Sequence, residues 1–173
     1  YKLAAEQGDA NAQINLGKIH RIGQGVPQNY KTAIKWYSLA AEQGYAIART
    51  SLGLMYYNGQ GVPRDYKTAV KWYRLAAEQG YASAQYSLGF LYAKGRGVSQ
   101  DNVNALRWWT IAASSGNKYA TKNIVKIAKR MTPSEINTAQ KLARNFVPSK
   151  SSPIMTAKKT SPQSKSAGEK ENE

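Results

Sequence analysis

The sequence predicts an all-α fold, a solenoid of stacked antiparallel helix pairs, and three observations carry that prediction. A 36-residue step runs along the chain: Gly8, Gly44, Gly80 and Gly116 are spaced by it, and so are Leu16, Leu52 and Leu88, and Trp36, Trp72 and Trp108. Inside each period the apolar residues recur at helical spacing, in two separate stripes. Capping and turn residues stand between the stripes and mark where each helix starts and stops.

The first stripe is Ala12, Leu16 and His20, matched by Ala48, Leu52 and Tyr56 and by Ala84, Leu88 and Tyr92. These fall at i, i+4 and i+8, so one face of a first helix is expected to point into a core. The second stripe is Ala33, Trp36, Tyr37 and Ala40, with Ala69, Trp72, Tyr73 and Ala76, then Ala105, Trp108, Trp109 and Ala112 behind it. Asn29, Asp65 and Asp101 precede the second helices and suit N-caps, because a short side-chain oxygen can accept from the free amides of the first turn. Gly44, Gly80 and Gly116 suit the left-handed turn that follows each second helix. Gly17, Gly53 and Gly89 sit inside the first helices, where glycine costs about 1 kcal/mol relative to alanine, so a close helix approach is expected there. The connecting G-x-G-V loops begin at Gly23, Gly59 and Gly95.

A pair of this size cannot bury its stripe alone, so neighbouring pairs must stack and leave an inner and an outer wall. Residues 9–44, 45–80 and 81–116 read as three such units. Tyr1 aligns with Tyr37, so residues 1–8 read as the remnant of a second helix whose partner helix lies before the chain begins, as expected of a fragment or a trimmed protein. Residues 117–147 read as a degenerate terminal repeat with a closing helix, which Thr132-Pro133-Ser134-Glu135 starts and which runs to about Asn145. Residues 148–173 are rich in Ser, Lys, Thr and Pro and are expected to be a disordered tail.

Lys plus Arg number 25 against 10 Asp plus Glu, a formal charge of +15. Residues 117–130 hold five of the bases and no acid, which concentrates positive potential toward one end. The chain has no cysteine, so disulfides and thiolate metal sites are excluded. It has one histidine, His20, which occupies a core-edge position of its stripe and can form no His pair. No run approaches the roughly 20 apolar residues of a membrane span. Neither a cofactor nor a metal is expected.

The words of the repeat, A-x-x-x-L-G, then G-x-G-V, then D-Y-K-x-A-x-x-W-Y-x-L-A-A-E-Q-G, resemble the Sel1-like repeat, a relative of the tetratricopeptide repeat. The likeness covers residues 1–116 and decays beyond, where Lys118, Ile124 and Val125 replace small, Leu and Gly positions. It implies a right-handed superhelix, a protein-protein interaction scaffold or adaptor without catalysis, a bacterial origin and a periplasmic or secreted setting. Some relatives are linked to β-lactams, so a β-lactam or peptidoglycan binder or hydrolase is the alternative, with Ser115 and Lys118 as an S-x-x-K match. That match lacks the further Ser-Asp-Asn and Lys-Thr-Gly elements such chemistry uses. A weak, non-specific nucleic acid binder is the second alternative, since the basic row belongs to no recognised nucleic acid module.

Function is expected on the face of the first helices that points away from their core, because its residues differ from unit to unit. In the resembling folds this face lines the concave groove. Ile14, Lys18 and Arg21 come from the first unit, Leu54 and Tyr57 from the second, Tyr86, Phe90 and Lys94 from the third, and Lys122, Lys126, Lys129 and Arg130 from the terminal one. An apolar strip with cationic flanks suits a protein or peptide with an apolar anchor and acidic flanks.

Overall fold

The computed structural model describes residues 1–149, and among them the chain is all helix, with no strand. The helices are α1 (Lys2–Glu6), α2 (Ala10–Ile22), α3 (Tyr30–Glu42), α4 (Ala46–Asn58), α5 (Tyr66–Glu78), α6 (Ala82–Lys94), α7 (Asn102–Ser114), α8 (Lys118–Ala128) and α9 (Pro133–Arg144). They pair as α2 with α3, α4 with α5 and α6 with α7, and each pair leans on the next through its second helix. The expected caps are in place. Asn29 accepts from the Thr32 amide at 2.9 Å, Asp65 from Lys67 and Thr68 at 2.9 and 3.1 Å, and Asp101 from Asn104 at 2.9 Å. Gly44, Gly80 and Gly116 take φ of 92°, 90° and 86°, the left-handed turn that ends α3, α5 and α7.

The stripes meet as a row of small-residue contacts. Ala33, Ala40, Ala48, Ala69, Ala76 and Ala84 are fully buried, and Leu52 and Leu88 lie among them with 1% and 0% exposure. Full burial of a leucine side chain is worth roughly 1.5–3 kcal/mol, so this repeated row supplies much of the cohesion. The glycines inside the first helices are explained by what lies on them. A Cβ on Gly17, Gly53 or Gly89 would stand 2.7–2.8 Å from the ring of Tyr37, Tyr73 or Trp109 respectively. The missing side chain is therefore the space that the aromatic ring of the partner helix fills.

Between units, hydrogen bonds repeat with the same period. Gln13, Arg49 and Gln85 each reach back to the preceding second helix and donate to the carbonyls of Ala5, Ala41 and Ala77, at 3.1 Å in every case. These acceptors lie in the last turn, whose carbonyls have no partner inside the helix. Gln43 and Gln79 add a second tie, donating to the Gly8 and Gly44 carbonyls at 3.1 and 2.7 Å. The second glycines of the later two loops serve the same junction, since a Cβ on Gly61 would meet the Tyr30 backbone at 2.9 Å and one on Gly97 would overlap the Tyr66 backbone, whereas Gly25 faces open space.

The tryptophans depart from expectation. Of Trp36, Trp72 and Trp108 in one buried row, only Trp108 is buried, and the other two are half-buried. The reason is local: α9 packs on α7 and brings the Phe146 ring to 5.6 Å from Trp108, a cover the earlier tryptophans lack. The connector from α8 to α9 is short and has no G-x-G-V, and both helices pack on α7. The capping box of α9 is formed, with the Thr132 hydroxyl and the Glu135 carboxylate each meeting the other residue's amide.

The tail expected to be disordered from Pro148 begins instead with two placed residues. Pro148 packs on Gly80, and Ser149 donates from its amide to the Glu78 carbonyl at 2.8 Å, so the chain after α9 folds back to the end of α5. The rest of the expected tail, residues 150–173, lies outside the described residues.

Two outcomes test these contacts. Alanine normally gains about 1 kcal/mol over glycine in a helix, but Gly53→Ala must displace a buried tyrosine ring, an overpacking cost of about 1–3 kcal/mol. Urea denaturation should therefore show a loss of stability, and an unchanged or raised midpoint would remove the ring-on-glycine account. The Asp65 carboxyl is held below its ordinary range by hydrogen bonds from the Thr68 side chain and from the backbone. Its folded value is depressed, so its contribution is present above the unfolded value near 4 and fades as pH falls through the lowered one. Asp65→Ala should therefore melt earlier than the parent at pH 7, with the gap closing at the acid end of a pH series of thermal melts.

Candidate functional site

The 36-residue register aligns the first helices as rows, and the composition of those rows changes along the chain. One row reads Lys18 in α2, Leu54 in α4, Phe90 in α6 and Lys126 in α8. The next reads Ile22, Asn58, Lys94 and Arg130. From α4 to α8 the first row thus passes from apolar groups to a cation, and two adjoining pockets lie along it.

The apolar pocket, of about 220 Å³, lies between α4 and α6. Leu54, Tyr57, Tyr86 and Phe90 line it as expected, and Tyr73, Ser87 and Leu91 complete its floor. Leu54 is 37% exposed and marks the mouth. Tyr57 and Phe90 meet edge to face with ring centroids 6.5 Å apart. The Tyr73 phenol, largely buried, is pushed well above its ordinary pKa by desolvation, partly offset by a hydrogen bond with Ser87, so it stays neutral.

Arg96 borders this pocket and was not among the expected site residues. Its guanidinium sits 5.8, 5.5 and 5.8 Å from the ring centroids of Tyr57, Tyr66 and Phe90 and donates to the Tyr57 hydroxyl. One loop residue of the third unit thereby braces rings from two units. The corresponding Gln60 makes a weaker version, donating to the Tyr30 hydroxyl at 3.4 Å. The only hint in the sequence is that the middle position of G-x-G changes from Gln24 and Gln60 to Arg96.

The second pocket, of about 330 Å³, lies between α6, α8 and the start of α7. Lys94, Lys126 and Arg130 supply its cations, and Phe90, Trp109 and Ile127 its apolar floor. Gln100, Asn102 and Asn123 add amides. Trp109 is fixed by donating its indole N–H to the Tyr86 carbonyl at 3.0 Å. No carboxylate lines either pocket. Among the described residues Asp9, Asp65 and Asp101 are occupied as N-caps, Glu135 closes a capping box, and Glu6, Glu42 and Glu78 end the second helices.

The remaining expected residues are distributed differently. Lys18 and Arg21 stand outside both pockets, the first exposed and the second half-buried. Lys122 on α8 and Lys129, its C-cap, are exposed and also line neither. Ile14 is a correction: it is only 7% exposed and belongs to a core cluster with Ala10 and Ala33, against which Ile47 packs. The position matching Ile47 in the next unit is Ser83, which is exposed, so the wall closes over the first unit and opens farther on.

The S-x-x-K residues do not make a nucleophilic site. Ser115 is the exposed C-cap of α7, where carbonyls rather than amides project, and exposed Lys118 opens α8. His20 is half-buried at the core edge, as its alignment with Tyr56 and Tyr92 implies. No helix among the described residues is long and apolar enough to cross a membrane, and no group of three His, Cys, Asp or Glu there could hold a metal ion.

Comparison with known proteins places this geometry. The crystal structure of a Sel1 repeat protein from Oxalobacter formigenes superposes with a TM-score of 0.66 at 41% identity, over 68% of this chain and 49% of that one. That of c5321, a protective antigen present in uropathogenic Escherichia coli strains and displaying an SLR fold, gives 0.78 at 38% identity, over 82% and 30%. Helicobacter pylori cysteine rich protein B matches at 22% identity with a TM-score of 0.55, over 66% and 93%, which shows the fold alone. The chain thus spans about half of the Oxalobacter protein and under a third of c5321. Comparison with curated proteins gives no match. The Sel1 repeat model matches residues 1–9, 10–45, 46–81 and 82–117, and with most of its length so matched the chain belongs to the Sel1 repeat family.

Proposed function

We propose that this chain is an interaction scaffold that seats a peptide segment of a partner protein along the concave wall of its first helices. Proteins built of Sel1 repeats generally serve as protein-interaction scaffolds, and the observation that carries the reading for this chain is the apolar pocket of Leu54, Tyr57, Tyr86 and Phe90 opening beside a basic one. An aromatic or aliphatic side chain entering the first pocket would supply desolvation energy, and the unpaired cations would steer an acidic partner. Residues 117–147 close the end of the stack in this reading, with α9 shielding Trp108. A β-lactam-directed activity has no support from the placement of Ser115. A nucleic acid partner would draw on the same cations, but the rings beside them are packed against one another and against Arg96 rather than splayed for stacking.

Leu54 is the cleanest probe, because Tyr86 and Phe90 also pack against the core and their truncation would lower stability as well. Random peptides displayed on phage and selected on the full chain should converge on sequences with one large apolar anchor. Leu54→Glu should weaken the selected peptides by roughly tenfold in fluorescence polarisation, the scale of a single hot-spot residue, while its thermal melt matches the parent. Failure to enrich an apolar anchor, or equal affinity for the variant, would remove the groove from the account.

A further inference from the structure

We infer that the pocket bounded by Lys94, Lys126 and Arg130 is a carboxylate-binding subsite, which takes an acidic side chain one or two residues from the apolar anchor and on the α8 side only. This deepens the groove reading and rests on it for the identity of the ligand as a peptide. Three observations support it.

Lys94 closes α6, Lys126 lies in the last turn of α8 and Arg130 follows just past its end, so three cations converge on one cavity of about 330 Å³. Cations near a helix C-terminus are favoured by the macrodipole, which accounts for their being tolerated but not for their convergence. None of the three has a carboxylate within 4.0 Å among the described residues, where the one ion pair is Lys2 with Glu6. The side-chain amides of Asn102 and Asn123 line the cavity without a hydrogen bond to any described residue and can donate to an oxygen. Its floor of Phe90, Trp109 and Ile127 is apolar and suits the methylene stem of an aspartate or glutamate.

Phe90 lines both pockets, so a ligand that fills them passes over a single ring. At about 3.3 Å per residue, an extended peptide crosses one aromatic ring in one or two positions. On the α2 side of the apolar pocket the same register holds Lys18, exposed and lining neither pocket, so no group of cations converges on a cavity there. The other cation beside the rings, Arg96, is already stacked on three of them and bonded to Tyr57. The arrangement favours a carboxylate over a phosphoryl group, because the Asp101 carboxylate, which caps α7 by accepting from the Asn104 amide, adjoins the lining residues Gln100 and Asn102 and repels a dianion more strongly than a monoanion.

The subsite can be tested without an anchor. In 15N-correlated NMR of the full chain, N-acetyl-glutamic acid N-methylamide should shift the side-chain amides of Asn102 and Asn123 and the Trp109 indole in a saturable way, and the glutamine analogue should not. Lys126→Ala with Arg130→Ala should abolish those shifts, whereas Lys122→Ala with Lys129→Ala removes equal charge from the same stretch of chain and should preserve them. In selected peptides, Glu→Gln beside the anchor should cost roughly three- to tenfold in affinity. Equal loss in both double variants would reduce the effect to the general field and overturn the subsite. Larger shifts of the same amides by inorganic phosphate or by a short single-stranded oligonucleotide at matched ionic strength would overturn the carboxylate assignment. If the glutamate probe binds as described while Leu54→Glu leaves the selected peptides unaffected, the groove falls and the subsite stands; the converse result separates them the other way.

Discussion

An aromatic ring resting on a bare stretch of helix is the contact that spaces this molecule. Tyr37, Tyr73 and Trp109 lie on Gly17, Gly53 and Gly89, each closer than any Cβ would permit, and so set how near the two helices of a unit come. That approach is what lets alanines, rather than larger residues, fill the rest of the interface at zero or near-zero exposure. Widening it would open voids along the whole row of alanines, and close-packed interiors lose dispersion contacts quickly when that happens. The glycine therefore offsets its own helix penalty by what it allows on either side.

A second constraint turns identical pairs into a directed stack. Gln13, Arg49 and Gln85 make the same bond to the same carbonyl of the preceding unit, although one of them is an arginine. Any long side chain with an N–H to donate meets the requirement, since the role is to satisfy a helix-end carbonyl that would otherwise be buried without a partner. At the end of the described chain this ladder stops, for the position corresponding to Gln85 is Thr121, and the terminal unit is finished by other means. Phe146 covers Trp108 on α7, and Ser149 supplies a donor to Glu78, so the chain after α9 runs back along the stack to the end of α5.

Legibility in the sequence followed the range of the interactions. The caps Asn29, Asp65 and Asp101 and the turn glycines could be read directly, because each acts within a few residues of itself. The glycines of the first helices announced a close approach without saying what approached. Ile14 could not be placed, because its burial depends on Ile47 in the following unit rather than on its own helical phase. Arg96 was equally hidden: its environment is assembled from α4, α5 and α6, and a charged residue in a G-x-G turn looks like a solvated loop. Trp36 and Trp72 shared a letter and a phase with Trp108, yet only the last has a helix lying over it.

Most of the periodic residues hold the stack, and that commitment determines where recognition can arise. Positions bound to the 36-residue rule cannot vary without cost to every neighbour, whereas the wall of α4, α6 and α8 is released from it and differs in each unit. Lys18, Leu54, Phe90 and Lys126 occupy one register, so a ligand lying from α4 to α8 passes from a surface that excludes water to one that holds charge. Phe90 belongs to both, which makes its ring the boundary between desolvation and electrostatics. Arg96 fixes that boundary from behind by holding Phe90 against Tyr57 and Tyr66, so the selectivity of the wall depends on a residue that need not touch the ligand.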